Sequence, residues 1–218
     1  MRIAIIGGGV YGTGIAFFLK HLDDSNEVLL FEKNTLGSAS TGKSAGIVRH
    51  HYSHKIQIQF AKRGREILEQ FPDLVGSSGA FHQNGYLIMV GPENVDQFRK
   101  NVELQKEVGL DVELVKPEEL QEYVPALDPE GVELAAIEHE AGFADPYLVA
   151  TGFAKMAQVK GAKIMTNTPV TDIVTEDDEV VAVKSNSDRY DVDVVVNAAG
   201  PWAAEVAKLA GIDIPLSK

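Results

Sequence analysis

The 218 residues carry a formal net charge of -12, from 20 Lys and Arg against 32 Asp and Glu, with 44% apolar residues and no Cys. Acids spread along the chain without any basic stripe argue against nucleic acid or an anionic membrane surface as partner. The absence of Cys excludes disulfides, thiolate metal sites and cysteinyl cofactor links within the chain. The apolar fraction suffices for an ordinary core, in one large domain or two small ones.

An apolar strand is expected over Arg2 to Ile6, running straight into Gly7-Gly8-Gly9-Val10-Tyr11-Gly12 and then a helix. Gly7, Gly9 and Gly12 have the G-x-G-x-x-G spacing that brings a backbone turn and a helix N-terminus close to a pyrophosphate. Gly7 permits the turn, Gly9 leaves room for phosphate, and Gly12 lets helix and strand approach. Val10, Ile15, Phe18, Leu19 and Leu22 share one face of that helix, and this face is expected to pack on a sheet. A second strand, Glu27 to Phe31, ends in Glu32, about 20 residues past the last glycine, where an acid accepts a ribose hydroxyl and repels a 2'-phosphate. A dinucleotide site that disfavours NADP follows. The turn comes so soon after Met1 that no signal peptide is expected, and no apolar run reaches membrane-spanning length, so the expectation is a cytoplasmic protein.

A small-residue loop, Leu36 to Gly46, precedes a helical pattern with Ile56, Phe60, Ile67, Leu68 and Phe71 that is expected to stop at Pro72. Short strands at Tyr86 to Val90, Val112 to Val115 and Glu133 to Glu138, with helices around Val95 to Val108 and Pro117 to Tyr123, suggest an inserted α+β domain. Asp145 and Pro146 then read as N-cap and first-turn residues of a helix that Gly161 ends, followed by a strand at Lys163 to Met165. Val170 to Thr175 and Val180 to Lys184 flank the acidic turn Glu176 to Glu179 and read as a hairpin. Val192 to Asn197 is a β-branched run suited to a buried parallel strand, and it ends in Ala198-Ala199-Gly200-Pro201-Trp202.

Four pieces together resemble the FAD-dependent amine and amino-acid oxidoreductases, a group that includes glycine oxidase, sarcosine oxidase and dehydrogenase, and proline dehydrogenase subunits. They are the glycine turn through Glu32-Lys33, the loop Gly37 to Arg49, Gly142-Phe143-Ala144-Asp145-Pro146, and Asp193 to Trp202. The resemblance implies an α/β fold: a Rossmann-like FAD-binding domain with an inserted, incomplete α+β substrate domain. It places the first part of the FAD-binding domain at 1–75, the substrate-domain portion at 76–144 and the second FAD-binding part at 145–218. Besides Gly7, Gly9, Val10, Tyr11, Gly12, Glu32 and Lys33, it implies cofactor contacts from Ser40, Thr41, Lys43, Ser44, Ala45, Gly46 and Ile47 on the flavin side. Val170 is implied near the adenine, with Ala198, Ala199, Gly200 and Trp202 where a strand end meets the dinucleotide. For Trp202, a core aromatic at a helix start is the simpler account.

In relatives that hold FAD covalently, a histidine stands where this chain has Lys43, so non-covalent FAD is implied. Arg49 resembles the sarcosine oxidase arginine that binds the substrate carboxylate, a task suited to a planar fork; on sequence alone it reads equally as a surface arginine in an ion pair. His51 is a weaker candidate for catalysis. His50, His51 and His54 lack a carboxylate or Cys at ligand spacing, so no metal is expected. The implied reaction takes a hydride from the carbon beside an amine nitrogen to flavin and leaves an imine that water hydrolyses, with oxygen or a redox partner as electron acceptor. The alternatives are a hydroxy-acid flavin dehydrogenase of the same fold, or a catalytically silent FAD-binding subunit. Family members continue past the segment that ends near Lys218, which suggests a fragment, a truncation or half of a split enzyme, with a second subunit or homo-oligomer as partner.

Overall fold

In the computed structural model, which describes residues 1–76 and 81–216, the chain opens with β1 (Arg2–Ile6), α1 (Val10–Leu22) and β2 (Glu27–Phe31). The middle holds β3 (Ile47–Val48), α2 (Lys55–Glu69), α3 (Phe71–Val75), β4 (Phe81–Gln83), β5 (Tyr86–Val90), α4 (Val95–Glu107), β6 (Val112–Val115), α5 (Leu120–Tyr123), β7 (Leu134–Glu138) and β8 (Gly142–Ala144). It closes with α6 (Pro146–Val159), β9 (Lys163–Met165), β10 (Val170–Glu176), β11 (Glu179–Ser185), β12 (Asp188–Asp191), β13 (Val194–Asn197) and α7 (Ala203–Leu209). Contacts divide the chain into two units, Met1–Ser44 with Asp145–Lys218, and Ala45–Ala144. The segment 45–75, grouped from sequence with the FAD-binding part, has its contacts in the second unit.

The first unit is Rossmann-like. Its parallel sheet runs in the order β13-β1-β2-β9, with Ile3 opposite Val194 on one side and Val28 on the other. Strand alternation sends Ala4, Ile6, Leu29 and Phe31 to one face, where they pack with Ile173, Val183 and Val192. That face is covered by the antiparallel sheet β10-β11-β12 and by α7, which contributes Val206 and Leu209. The β10-β11 turn forms at Asp177 and Asp178, both with positive φ (49° and 65°), which gives the primed-turn geometry that matches strand twist. The third strand of this sheet, β12, is an element the sequence patterns do not reveal.

Helices α1 and α6 pack together, with the Phe17 and Phe153 ring centroids 5.2 Å apart. Here the structure corrects the expected face of α1: its buried residues are Gly12, Thr13, Ala16, Phe17 and Lys20. Small side chains at Gly12, Thr13 and Ala16 let the helix axis lie close, and Phe17 and Lys20 are buried beside them. Val10, Ile15, Phe18, Leu19 and Leu22 instead line a shallow outer groove. Lys20 lays its stem against the core while its ammonium donates to the carbonyls of Asp24 and Asn26. α6 starts as expected, because Asp145 accepts the N–H groups of Tyr147 at 2.8 Å and Leu148 at 3.0 Å.

The second unit contains the antiparallel sheet β5-β7-β6 and the small sheet β3-β8-β4. Phe98 and Val102 of α4 pack with Ile58, Leu110, Val112, Leu134 and Ala136, while Leu120, Val115, Ala135 and Ile137 form a second cluster. The helix α2 also differs from its expected pattern: Ile58 and Arg65 are its buried residues, and Ile56 and Phe60 are exposed. Pro72 does not stop it, since α2 ends at Glu69 and Pro72 lies in the first turn of α3, where its missing N–H leaves no bond unmade.

Candidate functional site

The first unit holds a cavity of about 580 Å³, within the range of small-molecule sites. Its floor is the turn between β1 and α1. Gly7 has φ +117°, and a Cβ there would meet the Ala198 carbonyl oxygen at 2.4 Å. Gly12 lies behind the turn, where a Cβ would sit 1.8 Å from the Gly7 carbonyl oxygen. The two glycines therefore set how closely strand, helix and the β13 end converge.

Gly9 is the N-cap of α1 and makes no side-chain cap. The cap comes from a distant segment, since Thr41 Oγ1 accepts the Val10 N–H at 3.1 Å. A hydroxyl thus stands at a helix N-terminus, where backbone N–H groups and the helix dipole favour negative charge. The Thr41 loop is held in place by Gly42 N–H on the Gly37 carbonyl at 2.7 Å and Gly37 N–H on the Gly8 carbonyl at 3.0 Å.

Glu32 projects from the end of β2, with one carboxylate oxygen accepting the Gly8 N–H and the other the Asn34 N–H, both at 2.7 Å. Each oxygen keeps a further acceptor position, so the carboxylate can brace the turn and still take a ribose hydroxyl. Beside it the Lys33 ammonium lies 4.1 Å over the Trp202 ring, a cation–π contact at the pocket wall.

Of the cofactor residues expected from sequence, Gly7, Gly9, Val10, Tyr11, Glu32, Lys33, Ser40, Thr41, Ser44, Val170, Ala198, Ala199, Gly200 and Trp202 line this cavity. Gly12 supports it from behind, and Lys43 is exposed on the loop. Ala45, Gly46 and Ile47 belong to the second unit, where Ile47 pairs with Phe143. The wall also includes Gly8, Phe31, Gly37, Pro169, Val206 and Leu209, which the sequence reading did not select. Val206 and Leu209 carried a signal, the three-residue spacing of an apolar helix face directly after Trp202.

The second unit holds Arg49 and His51. The Arg49 guanidinium donates to the His51 carbonyl and lies 4.7 Å over the Tyr52 ring. Nδ1 of His51 is 3.0 Å from Gln105 Oε1 and Nε2 is 3.2 Å from Asn101 Nδ2, so both ring nitrogens are engaged. Burial pushes the His51 imidazole below its ordinary range, outweighing the opposite pull of the Gln105 bond and the Glu138 charge. Its neighbour His50 is buried against Glu138, with Nδ1 3.1 Å from Glu138 Oε2.

A glycine-turn pocket closed by an acid at the second strand is shared by many nucleotide folds, but residues 2–218 match the model of one family, FAD dependent oxidoreductase. The chain belongs to that family. Among relatives, it is 29% identical to FAD-dependent oxidoreductase domain-containing protein 1 of Xenopus laevis, over 96% of this chain and 48% of that protein. It is 30% identical to mitochondrial dimethylglycine dehydrogenase of Homo sapiens, over 97% of this chain and 24% of that protein. It is also 30% identical to anaerobic glycerol-3-phosphate dehydrogenase subunit A1 of Haloferax volcanii, over 97% of this chain and 38% of that protein. Among solved structures, L-proline dehydrogenase from P. horikoshii superposes with a TM-score of 0.90 at 34% identity, covering 97% of this chain and 56% of that one. The chain thus spans about half or less of the length of these relatives. Among the described residues, no helix is long and apolar enough to cross a membrane.

The pocket suits the family's cofactor. An N-terminus without a cap of its own, a backbone turn that leaves no room for side chains, and an acid beside the turn are the groups a dinucleotide requires.

Proposed function

We propose that this FAD dependent oxidoreductase chain binds FAD non-covalently and belongs to an enzyme that oxidises a small amine or amino acid, such as sarcosine, glycine or proline, to an imine. The observation that carries this reading is the 34% identity to an L-proline dehydrogenase across 97% of the chain, and the dimethylglycine dehydrogenase relative points to the same bond. The α1 N-terminus and the Gly7 to Gly12 turn would hold the pyrophosphate, and Glu32 the adenosine ribose. Ala198, Ala199 and Val170 would offer backbone at close range. When bound, FAD supplies the hydride acceptor. Arg49 would grip the substrate carboxylate and orient the C–H beside nitrogen, with its fork presented by the Tyr52 ring and the His51 carbonyl. Oxygen or a redox partner would take the electrons. Lys43, standing where covalent relatives carry histidine, and the lack of Cys support releasable flavin.

A second reading, oxidation of a hydroxyl-bearing substrate, is favoured by the relative named as a glycerol-3-phosphate dehydrogenase subunit. A third, an FAD-binding subunit whose chemistry needs a second polypeptide or a second copy, is favoured by the span of about half of the relatives. The test is turnover with an artificial electron acceptor, for the chain alone and with a polypeptide equivalent to the relatives' remaining half. Sarcosine, glycine and proline are set against glycerol 3-phosphate and 2-hydroxyglutarate. Negligible turnover alone, and amine-dependent reduction once complemented, is the expected result. Reduction by the hydroxy compounds only would replace the amine reading with the second, and turnover by the chain alone would discard the third.

A further inference from the structure

The second unit contains a polar chain that the flavin chemistry leaves unused. Glu138, on β7, and Gln105, on α4, are both buried. Glu138 Oε2 accepts the His50 backbone N–H at 2.7 Å, and its Oε1 accepts a side-chain N–H of Gln105 at 2.8 Å. Burial acts to raise this carboxyl, but the hydrogen bonds from the His50 ring, the His50 backbone and Gln105 together outweigh it and hold the group below its ordinary range, and both carboxylate oxygens face N–H donors, the His50 backbone at Oε2 and the Gln105 amide at Oε1. It is therefore an ionised, acceptor-only group.

That one property sets the direction of every bond in the row. Gln105 must turn its NH2 toward Glu138, so its oxygen faces Nδ1 of His51 at 3.0 Å. An amide oxygen only accepts, so the His51 proton sits on Nδ1. Nε2 is then an acceptor, matched by the Asn101 NH2 at 3.2 Å, while the Asn101 oxygen accepts from Gln97 at 2.8 Å. The His51 ring also lies against Phe98, with centroids 4.8 Å apart.

We propose that Glu138, acting through Gln105, fixes His51 as the Nδ1–H tautomer and thereby positions the Arg49 to Tyr52 segment. The link to Arg49 is direct, because its guanidinium donates to the carbonyl of the residue whose ring is so held. Glu138, Gln105 and His51 are positioning residues. The relevance to a substrate carboxylate rests on the reading of Arg49 above, whereas the tautomer does not.

Glu138→Gln tests it. The His50 N–H still needs an acceptor, so the new amide places its oxygen there and its NH2 toward Gln105. Gln105 must then turn over and donate to Nδ1, which moves the His51 proton to Nε2, and Asn101 turns in its wake. Side-chain nitrogen NMR of the histidine-labelled chain reads which ring nitrogen is protonated, with or without FAD. The unmodified chain is expected to show His51 as Nδ1–H and Glu138→Gln as Nε2–H, with His50 protonated on Nδ1 in both. The same His51 tautomer in both proteins, or Nε2–H in the unmodified one, overturns the proposal. Gln105→Leu covers the case in which that variant fails to fold. There His51 is expected to populate both tautomers, and the Arg49 guanidinium protons to lose their protection from water exchange. A pure Nδ1–H His51 or unchanged Arg49 protection would overturn the coupling.

Discussion

Gly12→Ala is expected to cost this chain its FAD affinity. The added methyl carbon would stand 1.8 Å from the Gly7 carbonyl oxygen, a backbone atom that cannot swing aside as a flexible side chain does. Relief requires the β1-α1 turn to open, which moves the α1 N-terminus away from the position proposed to receive a pyrophosphate. Overpacking of this kind costs on the order of 3 kcal/mol, equivalent to a roughly hundredfold weaker dissociation constant. Gly64→Ala supplies the contrast, because a Cβ at that position of α2 meets nothing within 4 Å. It is expected to leave FAD binding unchanged and to stabilise the fold slightly, by about 0.4–1 kcal/mol. Flavin titration of both variants checks the pair, and equal affinities would remove the turn from the site.

The second large effect is expected at Arg49. In an active enzyme that contains this chain, Arg49→Ala should lower kcat/KM for carboxylate-bearing amines by about thirtyfold, the equivalent of a charged hydrogen bond of about 2 kcal/mol. FAD content should stay normal, since the pocket in the first unit does not include this residue. Arg49→Lys should recover only part of the loss, because a point charge can neither match the planar fork nor stack on Tyr52 in the same way. Steady-state kinetics with an amine that lacks the carboxylate complete the test, as that substrate should be indifferent to both changes. Unaltered kinetics for carboxylate substrates would assign Arg49 to local structure alone.

What was legible in the sequence was local or carried by strand alternation. The Gly7 to Gly12 turn, Glu32 at the end of β2, the Asp145 cap of α6 and the β10-β11 hairpin are each written within a few consecutive residues, and each forms where expected. The buried face of α1 is hard to read from apolar periodicity because it mixes small residues, Gly12, Thr13 and Ala16, with one aromatic, Phe17, and one charged residue, Lys20. Long-range pairing was out of reach for a different reason. Thr41 caps a helix that begins 31 residues earlier, and His50 meets Glu138 across 88 residues, and no periodicity links such positions. The buried polar row of the second unit therefore left no trace beyond three nearby histidines, which read more readily as surface or pocket polarity.

The most direct test of FAD binding at the first unit is an equilibrium titration of the purified chain with FAD, followed by the fluorescence of Trp202, its only tryptophan. Trp202 lines the pocket beneath Lys33, so saturable quenching is predicted, reversed by excess ADP and not produced by NADP, with all flavin released on acid precipitation. FAD that leaves Trp202 unchanged, or yellow colour that stays with the denatured polypeptide, would contradict it.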